Sequence, residues 1–444
     1  MKTFRLLPLT LALGVAWALP SQAQSLLDLY ESARGYDATF QSAKAQYEAN
    51  LHKAEQAKAG LLPTLGVSAS ASSTNLNYET FNPGTMPANR SFDNQSTSVS
   101  LSQPLYRPAN LATYGQGQRQ MELAEAQLRA AEQDLIVRVS QAYFDVLNAQ
   151  DTLAFVQAQK AAVAEQLASA KRNFEVGTAT ITDTREAQAR YDLVTAQEIA
   201  ADNDLRVKKL ALDQLVGKSG TSPKPLVRGE LPALQPTDVN AWIEQAQDNH
   251  PSIRQARVAL DVAKLEVDKA QAGHKPTLDL TASYNLNSNV GGTSLATTSS
   301  RTNSTVVGVN FSLPLFAGFA TQNRVRETLS LEEKSRADLE NAQRTVAQAT
   351  RSAYFGVISG LGQVKALEAA ETSSQSALDA NKLGYQVGVR INIDVLNSQS
   401  QLFQTKRDLA KARYDVLVGS LKLRQANGSL AAGDLEKVNA LLAK

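Results

Sequence analysis

The sequence predicts a mixed all-α plus β-barrel fold. Long coiled-coil helices are joined to four strands that contribute to a shared membrane barrel, and the whole is built as a two-fold internal repeat. Three observations predict it: short motifs recur 211 residues apart, heptad-patterned helices run far longer than a globular core is deep, and two strand pairs alternate apolar with polar residues. Ala142-Tyr143-Phe144 returns as Ala353-Tyr354-Phe355 and Val176-Gly177 as Val387-Gly388. Asp183 returns as Asp394 and Gly217 as Gly428, all at the same offset. Upstream, Leu62-Pro63-Thr64 answers Lys275-Pro276-Thr277 at 213, and Gln103-Pro104 answers Leu313-Pro314 at 210. The offset changes only between the strand pairs, where loops tolerate insertion.

Taken in order, residues 1–23 read as a signal peptide. Lys2 and Arg5 form a basic start, Leu6 to Leu19 an apolar core, and Ser21-Gln22-Ala23 a small-x-small cleavage site. Residues 24–217 form the first repeat: a helix, strands at about 63–79 and 94–106, then a long broken helix. Residues 218–240 carry four prolines and no sustained periodicity, and read as a connector. Residues 241–428 repeat the pattern, with strands at about 276–288 and 302–315, and 429–444 form a C-terminal segment.

From Leu128 to Phe174, positions stepping alternately by four and three hold a heptad seam broken only at Glu132 and Lys160. No proline falls between Pro108 and Pro223. A helix of roughly 65 residues spans on the order of 100 Å at about 1.5 Å per residue. Helices of that length must pack side by side; a solvent-exposed coiled coil accounts for the heptads alone equally well.

The strands decide more. Leu278 to Asn287 and Val307 to Leu313 alternate without a fault, and Leu65, Val67, Ala69 and Ala71 alternate with glycine and serine. Period two gives each strand one apolar and one polar face. Polar stretches at 80–95 and 288–303 read as the hairpin loops. Such a sheet could be half of a soluble sandwich, but the flanking helices offer too few large apolar residues to cover it. In lipid, four strands leave open edges whose unpaired backbone costs several kcal/mol per group. Barrels need about eight strands or more, so the barrel is shared between chains, and a shared barrel with a polar interior is a pore. Tyr78, Phe81, Phe92 and Tyr106 are candidates for interfacial aromatic girdles.

Composition narrows the function. The 444 residues carry 45 Lys+Arg against 43 Asp+Glu, and the excess of two is Lys2 and Arg5. That balance argues against a nucleic-acid partner. There is no cysteine, which removes disulfides, thiol catalysis and N-terminal lipidation together. His52, His250 and His274 are far apart in sequence. No phosphate loop, nucleophile elbow or ligand-spaced cluster occurs, so no enzyme activity, cofactor or metal is expected. The mean hydropathy of −0.27 looks soluble, yet it also suits a water-filled duct with a thin band of membrane strands.

At this point the residues carry a family resemblance. AYFDVLNAQD (142–151), FEVGTATITD (174–183), GHKPTLDLTASY (273–284), FSLPLFAG (311–318), GYQVGVRINIDVL (384–396) and LAKARYDVLVG (409–419), in order and at repeat spacing, resemble the TolC family of bacterial outer membrane channel-tunnels. The resemblance implies a homotrimer whose four strands per chain close a 12-stranded barrel in outer membrane lipid, with a helical tunnel in the periplasm. It implies partners: a periplasmic adaptor (membrane fusion) protein and an inner-membrane pump of ABC, RND or MFS type. It implies a function: export of drugs, small toxic compounds or proteins, by multidrug efflux or type I secretion. The competing reading is a structural periplasmic or surface coiled-coil protein without a pore.

The site candidates sit where the long helices break. Val176, Gly177, Val387 and Gly388 suit tight turns at helix C-termini, and resemble the places where adaptor hairpins dock. Asp183 then opens a helix, and with Glu186 three residues on it reads equally well as a capping box. Asp394 matches an entrance aspartate. Where similar proteins often carry a second one, this chain has Asn397, so its cation-binding ring is half as charged. Tyr385 and Arg390 match gate residues that bond across to Thr182 and Asp183 in the other repeat.

Overall fold

The computed structural model describes residues 23–78, 88–227, 231, 233–294 and 296–443. The leader proposed for residues 1–23 therefore lies almost wholly outside the described residues, as does Phe81, and the side chain of Tyr78 is not described. The elements follow the order α1 (Leu26–Tyr36), α2 (Ala38–Ala59), β1 (Thr64–Tyr78), β2 (Ala88–Tyr106), α3 (Pro108–Glu175) and α4 (Ile181–Val216). The second half runs α5 (Val239–Asn249), α6 (Pro251–Gln271), β3 (Thr277–Val290), β4 (Ser300–Ser312), α7 (Ala320–Gln386) and α8 (Asn392–Ala426), with α9 (Ala432–Asn439) at the end. Among the described residues no helix is long and apolar enough to cross a membrane.

The chain divides into two compact units. One comprises residues 42–131 and 246–348, the other residues 1–41, 132–245 and 349–444.

The first unit holds the sheet. Its strands pair antiparallel in the order β1-β2-β3-β4, which leaves β1 and β4 as open edges. The register stacks like on like. Leu65 faces Leu101, Val67 faces Val99, and Leu280 faces Val309. The apolar face is bare, with Leu65, Val67, Val307 and Val309 exposed. Polar residues form cross-strand pairs of their own: Asn94 Nδ2 donates to Asn289 Oδ1 at 2.7 Å, and Ser98 Oγ to Asn285 Oδ1 at 2.6 Å. Phe92 shares the side of β2 that carries Asn94 and Ser98, two and six residues on, so it does not join the apolar band. β2 starts at Ala88, not near 94: residues 88–93 lack alternation and read as loop, but they complete a ladder against β1. At the sheet's helical end, Arg107 forks onto Asp279 at 2.7 and 2.6 Å.

In the same unit His250 caps α6, its Nδ1 accepting from the Ser252 amide at 3.1 Å. Burial pushes the imidazole below its ordinary value of 6.5. A depressed pKa means the unfolded chain takes up the proton more readily. The cap's contribution is therefore full above pH about 6.5 and is lost as the pH falls below it. His250→Asn keeps an acceptor at the cap and is expected to flatten the loss of melting temperature between about pH 7 and about pH 5. An unchanged slope would refute this.

The second unit is helical, with a core around Tyr143 and Phe144. Phe144 stacks on Tyr414 with ring centroids 5.7 Å apart and meets Tyr143 edge-on at 5.5 Å. The Tyr143 hydroxyl donates to the carbonyls of Lys224 (3.0 Å) and Gln24 (3.2 Å). Burial raises its pKa far above the ordinary tyrosine value. These bonds tie the connector to the start of the described chain, and Gln24 and Pro223 form a β-bridge there. Tyr414 in turn donates to Asp151 at 2.7 Å.

Candidate functional site: the paired helix turns

The two helix breaks are built alike. After α3, Gly177 N donates to Phe174 O at 3.0 Å and Thr178 N to Asn173 O at 2.8 Å. After α7, Gly388 N donates to Tyr385 O at 3.2 Å and Val389 N to Gly384 O at 2.9 Å. Gly177 and Gly388 have φ of 79° and 80°. This left-handed conformation disfavours side chains and lets the last carbonyls of each helix find donors. The turns are apolar on their outside. Val176, Val387, Val389 (75% exposed) and Ile391 stand in solvent, flanked by Phe174, Ile181 and Leu383. Sequence reasoning missed the last five of these seven, although two more apolar residues within three positions of Gly388, Val389 and Ile391, were a visible signal.

The next helices begin equivalently too. Thr180 is the N-cap of α4 and Ile391 that of α8, which puts Asp183 and Asp394 both at the third helical position. This corrects the expected box. Thr180, not Asp183, is the cap, and its partner is Asp183, not Glu186. Thr180 Oγ1 accepts from the Asp183 amide at 3.2 Å, while Asp183 Oδ2 accepts from the Thr180 amide at 2.9 Å and hydroxyl at 2.7 Å. Thr182 lies between them, exposed.

Asp183, Tyr385, Val387, Gly388 and Arg390 line one cavity of about 600 Å³. The expected bonds from Tyr385 and Arg390 to Thr182 and Asp183 are not made within the chain. The Tyr385 hydroxyl accepts from Asn173 Nδ2 at 3.3 Å. Arg390 instead reaches Asp394, one helical turn on, at 3.7 Å, with more than half of its side chain exposed. The Thr180 cap uses Asp183 Oδ2, and within the chain the guanidinium pairs with Asp394.

What joins the repeats here is hydrogen bonding without an ion pair. Gln166 Nε2 donates to Asn392 Oδ1, Asn392 Nδ2 donates to the Asp183 carbonyl at 3.2 Å, and Arg190 donates to Asn397 Oδ1 at 2.9 Å. Val163, Leu167, Ala170, Ala187, Val194 and Leu396 pack as an apolar floor nearby. Among the described residues no group of three or more His, Asp or Glu could hold a metal ion.

Comparison with known proteins agrees along the length of the chain. The family described as outer membrane efflux protein matches residues 29–218 and 242–429. The outer membrane protein TolC of Vibrio cholerae serotype O1 is 34% identical over 419 residues, which is 94% of this chain and 94% of its own length. The alkaline protease secretion protein AprF of Pseudomonas aeruginosa is 33% identical over 94% of this chain and 87% of its own. The crystal structure of the outer membrane protein VceC of Vibrio cholerae superposes with a TM-score of 0.77 at 19% identity, covering 91% of this chain and 96% of that one.

Proposed function

Because the chain belongs to the outer membrane efflux protein family, we propose a specific mode of action for it: a homotrimeric duct, closed at the paired helix turns, that a periplasmic adaptor docks on and an inner-membrane pump drives. The chain is an outer membrane channel of the efflux and type I secretion kind. Members of its family are channels rather than enzymes, and export energy comes from the pump.

The observation that carries the trimeric reading is the sheet with two open edges and a bare apolar face. In lipid every unpaired backbone group costs several kcal/mol. β4 of one copy therefore pairs with β1 of the next until the barrel closes, and three copies give twelve strands. Asp183, Tyr385 and Arg390 share one cavity, and the exposed Arg390 guanidinium reaches across to Thr182 and Asp183 of a neighbouring copy. Asp394 of each chain forms the entrance ring that binds cations. Val176, Gly177, Val387 and Gly388 are where the adaptor docks, which accounts for apolar residues left in solvent around the turns. The segment boundaries at 24–217, 218–240 and 241–428 follow the same logic, with a signal peptide over 1–23.

The purified chain is expected to run as a trimer and to form ion-conducting pores in planar bilayers. A folded monomer without conductance would overturn the proposal. Arg390→Ala combined with Tyr385→Phe is expected to raise single-channel conductance several-fold, and unchanged conductance would remove these residues from the gate.

A further inference from the structure

We infer that the buried amide of Asn392 is a latch that fixes the head of α8 to the other repeat. The inference rests on the duct reading above and names a residue which neither the resemblance nor the site motifs single out. Asn392 is the first residue of α8 and is fully buried, 0% exposed. Its two polar atoms are spent on two different helices. Oδ1 accepts from Gln166 on α3, and Nδ2 donates to the Asp183 carbonyl in the first turn of α4. One acceptor and one donor on a short planar group answer one donor and one acceptor, a match that only an amide provides here. A carboxylate would set oxygen against the Asp183 carbonyl, and an aliphatic chain would satisfy neither partner.

The latch differs in kind from the charged pairs around it. The Arg390–Asp394 contact lies within one helix turn and is largely exposed, so it does not resist displacement of α8. Two other bonds cross the repeats: Asn173 to the Tyr385 hydroxyl at 3.3 Å, and an exposed one from the Arg190 guanidinium to Asn397 at 2.9 Å. Moving the head of α8 away from α3 and α4 breaks both Asn392 bonds at once. It leaves a buried amide, the Gln166 amide and a carbonyl without partners, the costly outcome for groups shielded from water. A neutral latch is also indifferent to salt, unlike an ion pair.

The test compares single-channel conductance of full-length trimers carrying Asn392→Leu, Asn392→Asp and Gln166→Leu. Asn392→Leu and Gln166→Leu are expected each to raise conductance several-fold, with no further rise in the double variant, while the trimers stay folded by circular dichroism. Asn392→Asp is expected to conduct strongly near neutral pH and to return toward wild type in acid, where the protonated carboxyl regains a donor. The measure is its ratio to wild type at each pH, which cancels Asp183 of α4, Tyr385 of α7, and Arg390 and Asp394 at the head of α8. Wild-type conductance in folded Asn392→Leu trimers, or a ratio that does not change with pH, would overturn the latch.

Should Asn392→Leu not assemble, the absence of native cysteine permits a Gln166→Cys/Asn392→Cys pair bridged by a bis-maleimide. Bridging is expected to hold the Arg390→Ala channel at low conductance, and a bridged channel that still opens refutes the latch. If no form conducts at all, the duct reading has failed. Amide exchange in the first turn of α8 then decides the latch separately: faster in Asn392→Leu if it exists, unchanged if it does not.

Discussion

Phe144→Ala is expected to cost about 4 kcal/mol, whereas Phe355→Ala, the same change in the same motif of the other repeat, leaves the fold of the single chain nearly untouched. Phe144 is 1% exposed and lies between the Tyr143 and Tyr414 rings. Removing it opens a cavity in a close-packed interior and strips an aromatic contact. Phe355 is 59% exposed, and its ring meets that of Tyr354 edge-on. Thermal melting of the two variants checks the ordering. A Phe355→Ala chain that folds as well as wild type but releases its trimer at lower temperature would identify that ring as an assembly contact. Equal destabilisation of the folded chain by both substitutions would contradict the assignment.

The second large effect is electrostatic. Asp394→Asn is expected to abolish block of the channel by trivalent cations, and Asn397→Asp to strengthen block by about tenfold or more, since each carboxylate per chain becomes a ring of like charges around one axis. In the proposed ring, two features of this chain would hold the charge low. Asn397 is neutral and its oxygen is taken by Arg190. Asp394 is already faced by Arg390, in the turn just before its helix. Arg390→Ala is therefore expected to tighten cation block even as it opens the gate. Block of the Asp394→Asn channel as strong as in wild type would eliminate the ring.

Much of the fold was legible because period is a property of the chain itself. Strict alternation marked β3 and β4 to within about three residues, and the heptad seam marked α3. The start of β2 was not legible, because Asn89 to Asn94, Phe92 apart, are polar on both faces and look like loop until β1 lies alongside. The cap of α4 was misplaced by three residues because Thr180 and Asp183 both suit the role, and only backbone conformation separates them. The turns and their aspartates could be located by the repeat. Their partners could not, since Asn392, Gln166 and Asn173 are ordinary polar residues whose meaning lies in what another helix brings to them. The contrast between Phe144 and Phe355 makes the same point: one motif occurs in two environments, and burial is decided by neighbours.

Nothing lies within 4 Å of the point where a side chain would begin at Gly177 or Gly388. The glycines are needed for their backbone angle, not for want of room. A partner that meets these turns thus meets bare main chain, which is the same in every protein and carries no identity. In the docking reading, selectivity among adaptors must then reside in the flanking side chains, above all Phe174, Val176, Ile181, Val389 and Ile391. Exchanging those flanks between two ducts, with the glycines left in place, should exchange the pumps they serve.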